Sequence, residues 1–327
     1  MRTLGVIGAG AWGSALAIRW AANGQPVRLW GRDASVLAGI ETERENSRYL
    51  PGVALPRDLQ TAASMNDAAG ADICLIAVPS ASFAEVLSRL GPALSATTPV
   101  LWATKGFEPT STRMLHDVVV ETVGRRPIGV IAGPTFAREV AQGLPAAVAI
   151  AASDARFSQW LVDGFHADRF RVYSTDDLTG VAVAGAVKNV LAIAAGIADG
   201  LALGANTRAA LISRGLAEMT RLGLALGAKS ETFFGLAGLG DLVLTCTDDQ
   251  SRNRRFGLAL GRGQSATEAL ASIGVVEGHS TAAALLRHAS TCGVEMPISE
   301  QVHRVLTGDI GVAAAVQALL AREVHGE

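Results

Sequence analysis

This chain of 327 residues has little lysine, little cysteine and no excess of basic charge. Its three cysteines, Cys74, Cys246 and Cys292, are too few and too scattered for a disulfide framework or a zinc cluster, and they fit a reducing cytoplasm. The net charge of -2 gives no reason to expect nucleic acid or an anionic membrane as a partner, and we expect no metal site. Only three of the 28 basic residues are lysines, so the position of each lysine is informative.

One long apolar segment, residues 179–196, is the strongest hydrophobic feature of the chain, and Lys188 lies in its middle. The segment is long enough to span a bilayer, but Lys188 and the nearby Asn189 and Asp199 are polar residues that a spanning helix rarely carries. We therefore expect a buried helix of a soluble protein and no membrane insertion. The first predicted strand begins within the first four residues, which leaves no room for a signal peptide, so we expect a cytoplasmic protein.

The first half of the chain alternates short, almost wholly apolar strands with helical stretches, and the second half is helical. Uniformly apolar strands are typical of a parallel sheet that helices cover on both faces, with right-handed βαβ crossovers between the strands. Hydrophobic residues make up 49% of the chain, enough for two domains with separate cores. The sequence predicts an α/β fold, with a Rossmann-like dinucleotide-binding domain over residues 1–175, an all-α domain over residues 176–327, and Lys188 near their junction. The predicted strands are 4–7, 27–30, 72–78, 100–104, 128–132, 146–151 and 170–173, and the predicted helices are 14–23, 182–204, 207–227, 251–261, 266–274, 280–292, 299–306 and 312–324.

The segment Gly8-Ala9-Gly10-Ala11-Trp12-Gly13 follows the first predicted strand and opens the first predicted helix. Gly8 permits the tight turn, Gly10 lets a pyrophosphate approach the backbone, and Gly13 lets helix and strand pack closely. The start of the helix then offers free N–H groups to phosphate. A GxGxxG motif in this context predicts a dinucleotide site. The alternative is a glycine-rich turn that serves packing alone.

The end of the second predicted strand, Trp30-Gly31-Arg32-Asp33, bears on which dinucleotide is bound. NAD sites usually place an acidic residue here, whereas an arginine can meet the 2′-phosphate of NADP. Arg32 therefore favours NADP(H), and Asp33 one residue later leaves NAD(H) possible. The alternative for Arg32 is a solvated surface arginine.

Lys188 and Lys105 are the two lysines with a context that suggests chemistry. Burial lowers the pKa of a lysine so that it exchanges a proton near neutral pH, which arginine cannot do, and Lys188 is therefore the candidate general acid/base. Lys105 follows a predicted strand and would point into the crevice at the carboxyl edge of the sheet, unless it extends to water. Lys229 has no comparable context.

Three further segments carry candidate binding residues. Gly133-Pro134-Thr135 follows a strand and is either an anion-binding turn or an ordinary βα turn. Asp241 ends a glycine-rich loop and could orient the buried lysine or bind a substrate hydroxyl, although capping of the following turn is the local expectation. Ser251 is a plausible N-cap for a helix that begins Arg252-Asn253, where N–H groups beside guanidiniums would bind phosphate or form a solvated basic face. Cys246 has no histidine nearby in sequence and is not expected to be a nucleophile.

Ten segments between Gly8 and Glu277 form one pattern, and together they are specific where any one alone would be weak. In these segments the chain resembles the bacterial NAD(P)-dependent glycerol-3-phosphate dehydrogenases. The matching segments are GAGAWGSALA, LWGRD, YLPGVALP, AVPS, ATKGFE, GPTFAREVAQGLPAA, AGAVKNVLAIAAGIADGL, GLGDLVLTCT, SRNRRFG and VVEG.

The resemblance implies a role for individual positions. Lys188 would be the general acid/base, and Lys105 would contact both cofactor and substrate. Ala11 stands where some relatives have a serine, which affects one hydrogen bond at most. Arg32 stands where the family often has His or Arg, which supports NADP use without excluding NAD. The implied substrate contacts are Lys105, Gly133, Thr135, Lys188, Asp241, Ser251, Arg252 and Asn253. The implied cofactor contacts, with the glycine turn included, are Gly8, Gly10, Ala11, Trp12, Gly13, Arg32, Lys105, Ala137, Arg252, Val275 and Glu277.

The resemblance also implies the reaction, which is reversible hydride transfer between a nicotinamide and C2 of a three-carbon phosphate. The expected direction is NAD(P)H-dependent reduction of dihydroxyacetone phosphate to sn-glycerol 3-phosphate, which supplies glycerophospholipid synthesis in relatives. One alternative is a relative of the 6-phosphogluconate or β-hydroxyacid dehydrogenases, in which a spacer separates the lysine from an asparagine, whereas Lys188 and Asn189 are adjacent. Another is a dinucleotide-sensing protein without turnover, which would not need Lys105, Lys188 and Asp241 together. A homodimer is compatible with the helical domain, although the sequence shows no interface pattern.

Overall fold

The computed structural model describes residues 1–321, and within them an eight-stranded sheet is followed by a helical region. The strands lie in the order β3-β2-β1-β4-β5-β6-β7-β8, and the first six have the arrangement of a Rossmann sheet. The strands are β1 (Leu4–Ile7), β2 (Val27–Trp30), β3 (Leu59–Thr61), β4 (Ile73–Ile76), β5 (Val100–Trp102), β6 (Ile128–Ala132), β7 (Ala146–Ala152) and β8 (Phe170–Thr175).

Seven α-helices and one short 3₁₀ helix, Gly91–Ala93, are interleaved with the strands, and the described chain after β8 holds helices and no strand. The first group is α1 (Ala11–Ala22), α2 (Ala34–Glu43), α3 (Met65–Ala69), α4 (Ser80–Leu90), α5 (Leu115–Val123), α6 (Ala137–Ala141) and α7 (Ala155–Phe165). The second group is α8 (Leu178–Gly200), α9 (Gly204–Ala225), α10 (Ser230–Phe234), α11 (Asp241–Thr247), α12 (Arg252–Gly261), α13 (Ala266–Ile273), α14 (Glu277–Thr291), α15 (Pro297–Leu306) and α16 (Val312–Leu320).

The predicted fold class is confirmed, and the differences are local. The short edge strand β3 was not predicted, and α8 begins four residues before the predicted start at 182, since its N-cap is Asp177, whose carboxylate accepts a hydrogen bond from the Gly180 N–H at 2.8 Å. The predicted last helix, 312–324, is observed as α16, and residues 322–324 of that prediction lie outside the described residues.

The expectation of a wholly parallel sheet is wrong at one pair of strands. β7 runs antiparallel to β6, with Ala132 opposite Ala149, while the remaining neighbours are parallel. Residues 133–145 hold only the five-residue helix α6. A helix of that length rises about 7.5 Å, about half the length of a five-residue strand, so it does not carry the chain back along the sheet. The chain therefore re-enters the sheet at the end where β6 stops, and β7 runs back in the opposite direction.

The helical region shares a core with one face of the sheet, so the expectation of two separate cores is also wrong. A single cluster of buried side chains runs from Ile7 and Trp102 in the sheet to Val190 in α8 and Leu285 in α14. Helix α8 lies at the centre of this cluster. It is long and apolar enough to cross a membrane, but 94% of its most apolar window is buried inside the protein, as in the core helix of a globular protein.

Glycines let α12 and α8 approach so closely that their backbones are in contact. A Cβ added to Gly257 would lie 2.0 Å from the Ile193 carbonyl oxygen, and one added to Gly196 would lie 2.1 Å from the Arg254 carbonyl oxygen. A side chain at either position would push the two helices apart. This contact sets the distance between Lys188 on α8 and the first turn of α12.

Candidate active site

Lys188 is buried in the middle of α8 and its ammonium group is held by two residues of α11. Its side chain is 6% exposed, and Nζ donates to Asp241 Oδ1 and to Thr245 Oγ1, each at 2.7 Å. Thr245 in turn donates to the Asp241 carbonyl oxygen at 2.6 Å, which orients its hydroxyl oxygen toward the lysine. The amine is therefore held in place by groups of the protein itself.

Asp241 joins this lysine to the sheet. Its second carboxylate oxygen, Oδ2, accepts a hydrogen bond from Lys105 Nζ at 2.8 Å, and Lys105 follows the end of β5. A π-helical turn, Leu236–Gly240, immediately precedes Asp241 and fits the common occurrence of such turns at functional sites. The local expectation that Asp241 caps the next turn is wrong, because both of its oxygens are bound by lysines and it is itself the first residue of α11.

Lys188, Lys105 and Asp241 shift one another's pKa values. Burial lowers the pKa of Lys188 to about 8, with repulsion from Lys105 adding to the decrease and attraction to Asp241 opposing it. Burial also disfavours the charged form of Lys105, but the Asp241 carboxylate outweighs burial and the pKa of Lys105 is raised. Burial would raise the pKa of Asp241, yet the two lysines outweigh it and hold that pKa below its usual value. Lys188 is thus the lysine of the pair that can exchange a proton near neutral pH.

A hydrogen-bond network connects Asn189, the residue after Lys188, to α12 and α14. Asn253 Nδ2 donates to Asn189 Oδ1 at 2.9 Å, and Asn253 Oδ1 accepts from the Gly278 N–H at 2.9 Å. Asn189 Nδ2 in turn donates to Glu277 Oε2 at 3.3 Å. The predicted positions Asn253 and Glu277, which are 24 residues apart in sequence, therefore meet beside the buried lysine.

The start of α12 combines a cap with an exposed arginine. Ser251 is buried, and its hydroxyl accepts a hydrogen bond from the Arg254 N–H at 3.2 Å, which confirms the predicted N-cap. Arg252 is exposed at the same helix start. Buried Arg254 fixes the turn by donating to the Cys246 carbonyl oxygen at 3.1 Å and to Asp199 Oδ2 at 2.6 Å. The N–H groups of this turn and the Arg252 guanidinium can bind an anion together.

The loop after β6 approaches the same region from the sheet. The Thr135 hydroxyl donates to the Gly133 carbonyl oxygen at 3.1 Å, and Ala137 is the first residue of α6. Helix α6 begins three residues after Pro134, so Pro134 lies in the turn between β6 and α6. Gln250 Nε2 donates to Glu139 Oε1 at 2.8 Å, which ties α6 to the segment before α12. This bond brings α6, which follows the predicted contacts Gly133 and Thr135, close to the segment that precedes Ser251.

The glycine turn after β1 has the shape of a dinucleotide cradle. Gly8 has φ +125°, and a Cβ there would lie 2.3 Å from the Ala77 carbonyl oxygen. No atom lies within 4 Å of a Cβ placed on Gly10, so the space in front of the turn is open. A Cβ on Gly13 would lie 2.0 Å from the Gly8 carbonyl oxygen, so the third glycine is required by the packing of helix on turn. These residues and the start of α1 at Ala11 fit a dinucleotide.

A buried donor at this turn also lacks a partner. The indole Nε1 of Trp12 is buried and has no hydrogen-bond partner within residues 1–321. Buried donors without a partner are rare in native proteins and often mark a place where a ligand or water completes the bonding. Arg32 and Val275, two predicted cofactor contacts, are exposed.

Thr245 and Asn46 are two site residues that the sequence did not reveal. Thr245 contacts Lys188, and Asn46 Nδ2 donates to the Ala9 carbonyl oxygen at 2.9 Å within the glycine turn. The spacing of Asp241 and Thr245 by four residues on one helix face is a signal that could have found the first. Cys246 is buried, and burial raises the pKa of its thiol to about 12, so it is unsuited to act as a nucleophile.

A Rossmann sheet with a glycine turn that fits a dinucleotide, joined through Lys105 and Asp241 to a buried lysine, is the arrangement of a dinucleotide-dependent oxidoreductase. The chain belongs to the NAD-dependent glycerol-3-phosphate dehydrogenase family. The family models for the N-terminus and the C-terminus of that enzyme match residues 3–158 and 177–317 respectively.

Individual relatives resemble the chain over almost its whole length. The NAD(P)+ glycerol-3-phosphate dehydrogenase of Halorhodospira halophila (strain DSM 244 / SL1) is 53% identical, with 99% of this chain and 98% of the relative aligned. That of Pseudoalteromonas translucida (strain TAC 125) is 51% identical, over 98% and 97%. The crystal structure of glycerol-3-phosphate dehydrogenase from Coxiella burnetii is 48% identical and superposes with a TM-score of 0.94, over 98% of this chain and 99% of that one.

Proposed function

We propose that this protein reduces dihydroxyacetone phosphate to sn-glycerol 3-phosphate with NADPH or NADH, and catalyses the reverse reaction. The observation that carries the proposal is the buried Lys188, whose ammonium group is held by Asp241 and Thr245, with Asp241 also bound by Lys105 after the end of β5. Membership of the glycerol-3-phosphate dehydrogenase family supports the choice of substrate.

Lys188 is the proton donor for reduction. A nicotinamide cofactor held at the glycine turn would supply a hydride to C2 of the substrate and become NAD(P)+, so the protein has to neutralise the negative charge that develops on the carbonyl oxygen. A lysine with a pKa of about 8 is protonated at neutral pH yet releases its proton readily, so it neutralises that oxygen. Lys105, whose pKa is raised, remains a cation and stabilises the same developing charge. Asp241 is a positioning residue that holds both amines.

The substrate phosphate binds at the start of α12. The Arg252 guanidinium and the N–H groups of the turn capped by Ser251 supply the charge and donors, and Asn253 fixes that turn to Asn189. Gly133 and Thr135 contact the substrate from the sheet side. Phosphate contacts far from C2 hold the carbonyl at the lysine, which raises the rate through orientation.

The cofactor binds along the glycine turn and the carboxyl ends of β1 and β2. Gly8, Gly10, Ala11, Trp12 and Gly13 form the diphosphate cradle, and Arg32 favours NADPH over NADH. The other proposed cofactor contacts are Lys105, Ala137, Arg252, Val275 and Glu277.

The cellular setting is also a proposal. We assign the enzyme to the cytoplasm and its product to glycerophospholipid synthesis, in keeping with its three free cysteines and its family. We place the boundary between the dinucleotide domain, residues 1–175, and the helical domain, residues 176–327, between the end of β8 and the start of α8. A homodimer through the helical region is the expected assembly.

The direct test is oxidation of NADPH in the presence of dihydroxyacetone phosphate, with NADH in a parallel reaction. Turnover is expected with the phosphorylated substrate, whereas unphosphorylated dihydroxyacetone should give little, because it lacks the group that α12 binds. The non-catalytic alternative predicts cofactor binding without turnover. Equal rates with both substrates would place the specificity elsewhere and contradict the assignment of α12.

A further inference from the structure

Two arginines and one aspartate lie together where β2 ends, at the adenosine end of the proposed dinucleotide site. Arg32 and Asp33 follow β2 directly, and Arg48, which lies after α2, donates a hydrogen bond from Nη1 to Asp33 Oδ2. Arg32 is exposed and forms no ion pair within residues 1–321. The group therefore carries two positive charges against one negative charge.

The Asp33 carboxylate is already used by the protein itself. Oδ1 accepts hydrogen bonds from the Ser35 N–H at 3.0 Å and the Ser35 hydroxyl at 2.6 Å, so Asp33 is the N-cap of α2. Oδ2 accepts the bond from Arg48. An acidic residue that recognises the ribose hydroxyls of NAD must direct a carboxylate oxygen at them. In this protein both oxygens of the nearby carboxylate are engaged elsewhere.

The segment that carries Arg48 is fixed to the glycine turn. Asn46 is 1% exposed, and its Nδ2 donates to the Ala9 carbonyl oxygen at 2.9 Å and to Ser14 Oγ at 2.8 Å. The end of β2 touches the same turn, since a Cβ on Gly31 would lie 2.8 Å from Ala9 Cβ. Arg48 is thus held two residues from an anchor on the diphosphate cradle, on the side where β2 ends.

We propose that Arg48, together with Arg32, binds the 2′-phosphate of NADPH and sets the preference for NADPH over NADH. This inference rests on the proposed dehydrogenase function and adds a specificity residue to it. A guanidinium has five N–H donors, and only Nη1 of Arg48 is committed to Asp33, so other donors remain for phosphate oxygens. Asp33 positions this guanidinium and neutralises one of the two arginine charges. The positive charge that remains is opposite in sign to the 2′-phosphate, the group that NADPH has and NADH lacks.

Calorimetric titration of the full-length protein with NADPH and with NADH tests the inference without relying on turnover. R48A is expected to weaken NADPH binding about tenfold and to leave NADH binding within about twofold. R28A is the matched control, because Arg28 is also an exposed arginine that pairs with an aspartate, Asp67, at 3.4 Å, but on the body of β2. It should change neither affinity.

The double variant D33N/R48A separates phosphate binding from simple neutralisation of Asp33. Asparagine is as good an N-cap as aspartate, so α2 is retained. If Arg48 contacts the 2′-phosphate, the double variant remains about tenfold weaker for NADPH than wild type. Recovery of wild-type affinity, or an equal loss for NADPH and NADH in R48A, would overturn this inference alone. A wild-type protein that binds neither cofactor would overturn the proposed function and this inference with it.

Discussion

Asp241 favours the charged form of both lysines that it binds. Each of its carboxylate oxygens accepts a hydrogen bond from one amine, and Lys188 and Lys105 otherwise repel each other. Without the carboxylate, the pKa of Lys188 would be lowered by burial and by the second ammonium together. The carboxylate therefore keeps the acid form of Lys188 available near neutral pH.

Replacing Asp241 with asparagine tests this control. In D241N the pH above which reduction of dihydroxyacetone phosphate declines should move down by about 1–3 pH units, because an attractive charge that raises the pKa of Lys188 is lost. The measurement is kcat/KM against pH. D176N is the control, since Asp176 pairs with Lys229 at 2.6 Å on the surface. An unchanged profile in D241N would show that Asp241 has no effect on the proton donor.

The sequence predicts single residues of the site better than their contacts. The apolar run around Lys188 correctly predicted burial, because a helix with few polar residues has no solvent-facing side. Lys105, Lys188 and Asp241 come into contact because β5, α8 and α11, which are distant in sequence, meet in the fold, and no local sequence pattern specifies that contact. The same holds for Arg48, whose position depends on Asn46 reaching the glycine turn.

The contact of α8 with α12 determines how far Lys188, the proposed proton donor, lies from the start of α12, the proposed phosphate site. The two helices contact each other at Gly257 and Gly196. A Cβ at either glycine would overlap a backbone carbonyl oxygen of the other helix, which can move only if the helix moves with it. Lys188 and Asn189 lie on one helix and Asn253 on the other, so separation of the helices breaks the Asn189–Asn253 bond.

G257A is expected to destabilise the protein by about 1–3 kcal/mol and to raise KM for dihydroxyacetone phosphate more than KM for NADPH. The reason is that the added methyl group overlaps the Ile193 carbonyl oxygen and displaces the start of α12. Thermal melts and steady-state kinetics measure the two effects. G39A is the control, because Gly39 in α2 has open space around it and alanine is favoured in helices by about 0.5–1 kcal/mol. If G257A melts like wild type, the close contact is not required.

At the scale of the element, the sequence predicts which segments are helix and strand but not all of their directions. The strand pattern of β7 is apolar like that of its neighbours, and its reversal follows from the short α6 rather than from its own residues. The early start of α8 follows from Asp177, a capping residue outside the apolar run from which the helix was predicted.

In the whole molecule, the sheet and the helical region share one hydrophobic cluster, with α8 at its centre. Sequence composition indicated enough apolar residues for two cores, but it carries no information on whether the two are continuous. The order of elements does predict the two regions themselves, because alternating strands and helices give way to helices alone after β8.

A shared core predicts that the two regions unfold together. The tryptophans all precede residue 176, so their fluorescence reports the sheet region, whereas far-UV circular dichroism reports mainly the helical region. The two thermal transitions should coincide, and saturating NADPH should raise both midpoints together. Separate midpoints, with only the fluorescence transition responding to NADPH, would contradict the account of a continuous core. The tryptophans are Trp12, Trp20, Trp30, Trp102 and Trp160.

The pH dependence of kcat/KM in both reaction directions, measured for the wild type and K188A, tests the central role of Lys188 most directly. Reduction needs the protonated lysine and should decline above about pH 8, whereas oxidation of sn-glycerol 3-phosphate needs the neutral lysine and should decline below the same pH. K188A should show neither of these pH-dependent declines and should be slower by about 10²–10⁴-fold. K229A, which changes a half-exposed lysine that pairs with Asp176, should behave like the wild type. A K188A enzyme within about tenfold of wild type, with the same pH profile, would contradict the assignment of Lys188 as the proton donor.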